Sequence, residues 1–273
     1  VHVYRSWTKR TTPLPQKAKT CRWYYCTVED QQELPLDFGH GGGTLRTFKP
    51  VGFLADAAGR WSEKMGKTHT SDQFANITAG ASHLATFTEH RHRDHEDPTP
   101  ETLKSYGSLR TQIRQQYQHL TGPTESGGLG VTVEVTDKDP YPEAGDAARD
   151  VETNRRLKVL STASTGGHAL WSDEENDEFR AVHDSFGHLS TGRSFSRHGE
   201  EASYESHSRM FTDDALPALA AETRLSNATM IHGPSGEHPE NKPRNVADWA
   251  TRRGELPPQP EPAKDTSKQL ELL

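Results

Sequence analysis

The chain has 273 residues, a formal charge of −7 at neutral pH and only 31% hydrophobic residues. That length fits one large domain, or a compact domain with a loosely attached arm, and so thin an apolar content confines the core to a few segments. The acidic balance disfavours nucleic acid as a general partner, since tracking phosphates needs a net basic face.

No stretch approaches the roughly 20 apolar residues of a membrane span. The opening Val1-His2-Val3-Tyr4-Arg5-Ser6 lacks the basic and apolar regions of a secretory leader. Val1 is small enough to follow a removed initiator Met, which predicts a soluble cytoplasmic product. Cys21 and Cys26 are the only two cysteines, in Cys-x4-Cys spacing, and are expected to be reduced thiols because a zinc site needs two further ligands. Fifteen histidines are the anomaly. They favour a metal site, and they also favour metal-like spacings arising by chance.

In chain order, residues 1–50 read as irregular or short-stranded. Gly39-His40-Gly41-Gly42-Gly43 is a turn that lacks the lysine of a phosphate-binding loop, and Thr44–Phe48 alternates like a strand. Short helices are expected around Phe53–Trp61 and Ala75–Phe87. Next comes the clearest amphipathic helix, from Pro100 to about Leu120, with Thr99 as cap. Leu103, Tyr106, Leu109, Ile113, Tyr117 and Leu120 form its buried stripe. Val131–Val135 reads as a half-buried strand, residues from 145 as a short helix, and Leu157–Leu160 as a second strand. Ser172 and Glu175 form a capping box that starts a helix bearing Phe179, Val182, His183 and Phe186 on one face. Helices are expected at about 199–211 and 213–224, and the four prolines between Pro257 and Pro262 mark an extended tail.

The fold class expected is α+β and mainly helical: a helical C-terminal half with a short sheet, and long irregular N-terminal and C-terminal segments. The domains expected are 1–98 an irregular region with short strands and helices, 99–255 a helical metal-site domain and 256–273 a Pro-rich extended tail. A tail of that kind lies against its own body or a partner subunit, which points to a homo-oligomer or other assembly.

The chemistry concentrates in His183-Asp184-Ser185-Phe186-Gly187-His188. Residues five apart on an unbroken α-helix point about 140° away from each other. Gly187 is therefore expected to end the helix, so that His188 swings back toward His183. Glu222, on a later helix, is the expected third ligand. Two imidazoles and one carboxylate with open positions suit iron(II), with a hydrolytic zinc ion as the alternative. Glu200, Tyr204 and His207 share one helical stripe. Asp184, Glu200 and His207 are expected to act as catalytic groups, and His207 or Glu200 to orient a ligand, move protons or supply a fourth ligand. The opposing reading of that stripe is a solvated helix. Arg224 and Asn227 are candidates to bind a substrate carboxylate or phosphate, or Arg224 pairs with Asp213 or Asp214.

His183-Asp184-Ser185-Phe186-Gly187-His188 resembles the His-Glu-x-x-Gly-His motif of the pterin-dependent aromatic amino acid hydroxylases, over about residues 170–225. The resemblance implies His183 and His188 as iron ligands, Glu222 in Ala220-Ala221-Glu222-Thr223 as the carboxylate, and a small-molecule substrate. This chain has Asp184 for Glu and no aromatic-rich pocket, which weighs against a pterin. Residues from about Tyr106 to Asn227 also resemble an uncharacterised region of tailed-phage and actinobacterial proteins. The elements that carry this are Phe179–Asp184, Gly187-His188, Gly199-Glu200-Glu201, His207-Ser208, Met210-Phe211 and Glu222-Thr223-Arg224. It implies a phage or prophage origin, with virion association and phage structural proteins as partners if the role is in assembly.

Two weaker patterns compete. His90-Arg91-His92-Arg93-Asp94-His95 fits the zinc-binding pattern of the metallo-β-lactamase fold, in the wrong context for its strand. His183-Asp184 also fits HD-type phosphohydrolases, with His168 upstream and Asp213 or Asp248 downstream. The functional expectation is a non-haem iron oxygenase or hydroxylase type of site. A virion structural or assembly protein without turnover, and a metal-dependent hydrolase, are the alternatives.

Overall fold

A computed structural model describes residues 48–67, 95–195, 197–232 and 242–251. Residues 44–47 of the expected strand, the helix at Ala75–Phe87, both cysteines, His90, His92, Asp94 and the Pro-rich tail fall outside the described residues. Among the described residues the protein is mainly helical, with a small two-stranded sheet. No helix among them is long and apolar enough to cross a membrane.

Helix α1 (Gly52–Lys64) forms where a short helix is expected around Phe53–Trp61, and it buries Leu54, Ala57 and Ala58. Helix α2 (Pro100–Thr121) starts as its sequence dictates. Thr99 accepts the backbone N–H of Thr102, and Pro100 sits where no intrahelical N–H is needed. Its buried face carries Tyr106, Leu109, Ile113 and Leu120, but Leu103 is exposed and Tyr117 only half-buried. The stripe centres instead on Thr102, Ser105, Tyr106, Leu109, Ile113, Gln116 and Leu120, which puts Leu103 and Tyr117 at its rims. The polar members stay inside because they have partners: Ser105 accepts the N–H of Ala218, and Gln116 donates to the carbonyl of Met210.

Strand β1 (Thr132–Thr136), helix α3 (Ala144–Asn154) and strand β2 (Arg156–Leu160) form a βαβ unit. The strands are parallel, and Thr132 lies opposite Arg156 and Thr136 opposite Leu160. Parallel strands need such a crossover, which also covers the sheet. Asp150 ties the unit together by accepting Tyr141 Oη at 2.9 Å, Asn154 Nδ2 at 2.8 Å and the Arg156 guanidinium at 3.1 and 3.2 Å. Burial alone would raise the Asp150 carboxyl, but the hydrogen bonds from Asn154, Arg156 and Tyr141 hold it below its ordinary value. A depressed folded value stabilises above the ordinary carboxylate range, and that gain is lost as pH falls through the folded value. Asp150→Asn should therefore cost about 1–2 kcal/mol in urea unfolding at pH 7. The gap should shrink at pH 3, and an equal gap at both pH values would refute this account.

Helix α4 (Asp173–His183) opens with the expected capping box: Ser172 accepts the N–H of Glu175, and Glu175 accepts the N–H of Ser172. It does not end at Gly187. It runs on as a π-helix over Asp184–Leu189, then turns out at Gly192, whose φ of 73° suits glycine. Helix α5 (Arg197–Ser208) packs against that π segment, and the N–H of Val51, just before α1, donates to the carbonyl of Leu189. Helix α6 (Leu216–Ala220), a second π segment (Ala221–Leu225) and helix α7 (Ser226–His232) follow in one continuous run. Helix α2 packs on both α4 and α6, so the two π segments and α5 sit at the centre of the helical layer.

Candidate metal centre

The π turn joins His183 to His188 without any helix break. A turn closed by i→i+5 hydrogen bonds carries one residue more than an α turn, so residues five apart come round to the same side. Ser190 N donating to Ser185 O at 2.9 Å is a bond of that kind. The expected break at Gly187 is thus corrected. Gly187 is there for close approach: a Cβ on it would stand 2.1 Å from Ser203 Oγ, so α5 can seat on the π segment only where there is no side chain.

Helix α5 brings the third group. Glu200 Oε2 lies 3.5 Å from His183 Nε2 and 3.4 Å from His188 Nε2. One ligand atom from each of His183, His188 and Glu200 lies within 4.8 Å of the others, and all three residues are buried. Two atoms about 2.1 Å from one ion, spread at a tetrahedral angle, stand about 3.4 Å apart. The separations here match that figure, and they are long for hydrogen bonds. The cluster is therefore able to hold a metal.

The tautomer of His188 strengthens the point. Its Nδ1 lies 3.3 Å from the carbonyl of Arg193 and 3.2 Å from that of Ser194. Carbonyls only accept, so Nδ1 carries the proton, and in the neutral ring Nε2 presents a lone pair toward Glu200. A lone pair facing a carboxylate repels it unless a cation stands between them. Backbone carbonyls orienting an imidazole in this way are the common outer partners of metal-bound histidines. Burial, with His188 adding to it, outweighs Glu200 and lowers His183 below its ordinary value. Burial would raise Glu200, yet the two imidazoles beside it hold it at about 2. A neutral His183 and an ionised carboxylate are the states that metal binding requires.

Glu222 is placed elsewhere. Its Oε1 accepts Tyr106 Oη at 2.6 Å and faces His168 Nε2 at 3.4 Å. His168 Nδ1 accepts the backbone N–H groups of Leu170 and Trp171, each at 3.1 Å, so the proton of the neutral ring is on Nε2 and points at Glu222. This is the reverse of the His188 arrangement. The cluster of Tyr106, Glu222 and His168 is a hydrogen-bonded set, and His168 is not poised as a ligand. The second π segment supplies the physical reason: it aims Glu222 at α2 and Arg224 at α5. Nor does the structure gather the phosphohydrolase set, because His168 is with Glu222 and Asp213 pairs with Lys67 at 2.8 Å.

The groups expected around the metal divide. His207 is buried with its ring 5.6 Å from that of His183. Asp184 is buried, its Oδ1 has no hydrogen-bond partner, and burial with Glu200 nearby pushes its carboxyl well above the ordinary range. It also lines a small cleft with Pro140, Lys158 and Arg180. Far from being a solvated helix, α5 is buried from Gly199 to His207. Arg224 pairs with neither Asp213 nor Asp214. Its Nε donates to Glu201 Oε1 at 3.0 Å and its Nη1 to the carbonyl of Ala250, both inside the protein. Asn227, one turn further on, is half-buried.

Sequence reasoning named Glu222 as the third ligand and gave Glu200 only as a proton-moving, orienting or fourth-ligand group. The usable signal was its spacing: Glu200 and His207 are seven residues apart, two helical turns on one face. No family model, curated protein or solved structure matches this chain.

Proposed function

We propose that this protein binds one divalent transition metal through His183, His188 and Glu200, and that the site is of the non-haem iron type found in oxygenases and hydroxylases. The observation that carries the reading is the orientation of His188, whose Nδ1–H is tied to two backbone carbonyls while Nε2 faces Glu200. Two imidazoles and one carboxylate leave positions open, and iron(II) supplies oxygen activation in such a set. Zinc is the alternative ion, with hydrolysis as its chemistry. Nothing here calls for a pterin.

Burial favours a second reading, in which the ion staples α5 to the π turn in a phage structural or assembly protein without turnover. His183 and His188 are 4% and 0% exposed, as closed a position as a structural ion would take.

Metal analysis of protein purified without added metal, or loaded anaerobically with iron(II), tests the ligand set. About one ion per chain is expected in the wild type and in Glu222→Gln, with loss in His188→Ala and Glu200→Gln. Equal metal content in Glu200→Gln, or loss in Glu222→Gln alone, would overturn the assignment. Oxygen uptake by the iron-loaded protein favours the oxygenase reading. A raised melting temperature without uptake favours the staple.

A further inference from the structure

A row of buried rings runs from the metal site to the cluster that holds Glu222. Phe179 and His183 are four apart on α4, so their side chains meet on one face, and the two rings are nearly parallel with centroids 5.9 Å apart. Trp171, just ahead of the Ser172 cap, lies 5.6 Å from Phe179, and Tyr106 on α2 lies 5.6 Å from Trp171. These are contact distances for aromatic pairs. Phe179, Trp171 and Tyr106 are all buried.

Packing would be served as well by phenylalanine at the far end of the row. What stands there is a phenol with a proton acceptor of its own. Tyr106 Oη donates to Glu222 Oε1 at 2.6 Å, the length of a hydroxyl donating to a carboxylate. A phenol gives up an electron readily only when its proton has somewhere to go, and a carboxylate already in hydrogen-bond reach is such a place. Trp171 is the other readily oxidised side chain, and a single ring, Phe179, separates it from His183. The row thus joins a metal ligand to an oxidisable indole, and the indole to an oxidisable phenol.

We propose that Phe179, Trp171 and Tyr106 form a one-electron relay from the metal centre, ending in a phenoxyl radical on Tyr106 whose proton passes to Glu222. This rests on the iron reading above, with a peroxide as the oxidant. Hydrogen peroxide becomes two waters by taking up two electrons and two protons. Iron(II) gives one electron and becomes iron(III). Tyr106 gives the other, through Trp171 and across Phe179, while its O–H proton moves to Glu222 Oε1. Solvent supplies the two protons consumed at the centre. Tyr106 is 1% exposed, so its radical is shielded from reductants in water and stores the oxidising equivalent. Glu222, which is placed away from the metal, then serves as the base of the relay.

The full chain is loaded anaerobically with iron(II), the bound ion is counted, hydrogen peroxide is added and the sample is frozen for electron paramagnetic resonance. A tyrosyl radical is expected in the wild type, with hyperfine splitting that collapses when the tyrosines carry ring deuterium. The signal should be lost in Tyr106→Phe, Trp171→Phe and Glu222→Gln, each of which keeps its iron. A merely structural role for these side chains would leave the spectrum as it is. Bound iron without a tyrosyl signal in the wild type, or an undiminished signal in Tyr106→Phe, would overturn the relay and leave the three-ligand site intact. The wild-type spectrum decides even if a variant does not fold. A chain that binds no iron defeats the metal reading itself, and this inference with it.

Discussion

Arg224→Met should cost about 3–5 kcal/mol of folding stability, because it strands a carboxylate in the core. The side chains of Arg224 and Glu201 are 0% and 1% exposed, with Arg224 Nε 3.0 Å from the carboxylate. Burial pushes the Glu201 carboxyl above its ordinary value even though Arg224 pulls it down. The pair is thus held together against its own desolvation. Methionine fills similar space and supplies no donor, so both Glu201 and the carbonyl of Ala250 lose a partner. Adding Glu201→Gln should recover part of the loss, giving a coupling energy of about 1–3 kcal/mol in a double-mutant cycle. Urea unfolding of the four proteins measures it, and a single-variant cost below about 1 kcal/mol would show the pair to be solvated. Because Glu201 adjoins Glu200, metal affinity should fall along with stability.

Gly187→Ala comes next in size. Its Cβ would stand 2.1 Å from Ser203 Oγ and 3.2 Å from Ser203 Cβ, on the surface where α5 meets the π turn. The hydroxyl can rotate away but the Cβ cannot, so α5 has to shift outward. Overpacking of this kind costs about 1–3 kcal/mol. That shift moves Glu200 away from both imidazoles, and bound metal should drop well below one ion per chain. Ser203→Ala, placed on top, removes the worst contact and should restore part of the stability. If Gly187→Ala binds metal as the wild type does and melts at the same temperature, the close approach has no functional weight.

Much of the helical framework was legible in the sequence because it is local chemistry. Thr99 before Pro100, and Ser172 with Glu175, announce two helix starts through orphan N–H groups that any helix must satisfy. The strands expected at Val131–Val135 and Leu157–Leu160 formed within a residue of those bounds, the first from its β-branched alternation, though their parallel pairing was not legible. His183 and His188 stood out as a pair. What joins them did not, because periodicity arguments presume 3.6 residues per turn and a π turn departs from that count. The choice between Glu200 and Glu222 lay beyond the sequence for a related reason. Adjacent carboxylates at 200 and 201 face different partners according to helix phase, and the phase of Glu222 and Arg224 is set by a second π segment. Protonation states were legible nowhere in the sequence, since the same residue type presents a lone pair at position 188 and a proton at position 168.

The π turn at Asp184–Leu189 also bears on how such a centre comes into being. A π turn is an α-helix with one residue too many, squeezed in without disturbing the helices on either side. Take one residue out between His183 and His188 and the two histidines stand four apart on an ordinary α-helix, where they again share one face. The imidazole pair therefore outlives a one-codon change in helix length. What such a change alters is the residue that the turn sets against Ser203, where only glycine gives α5 room.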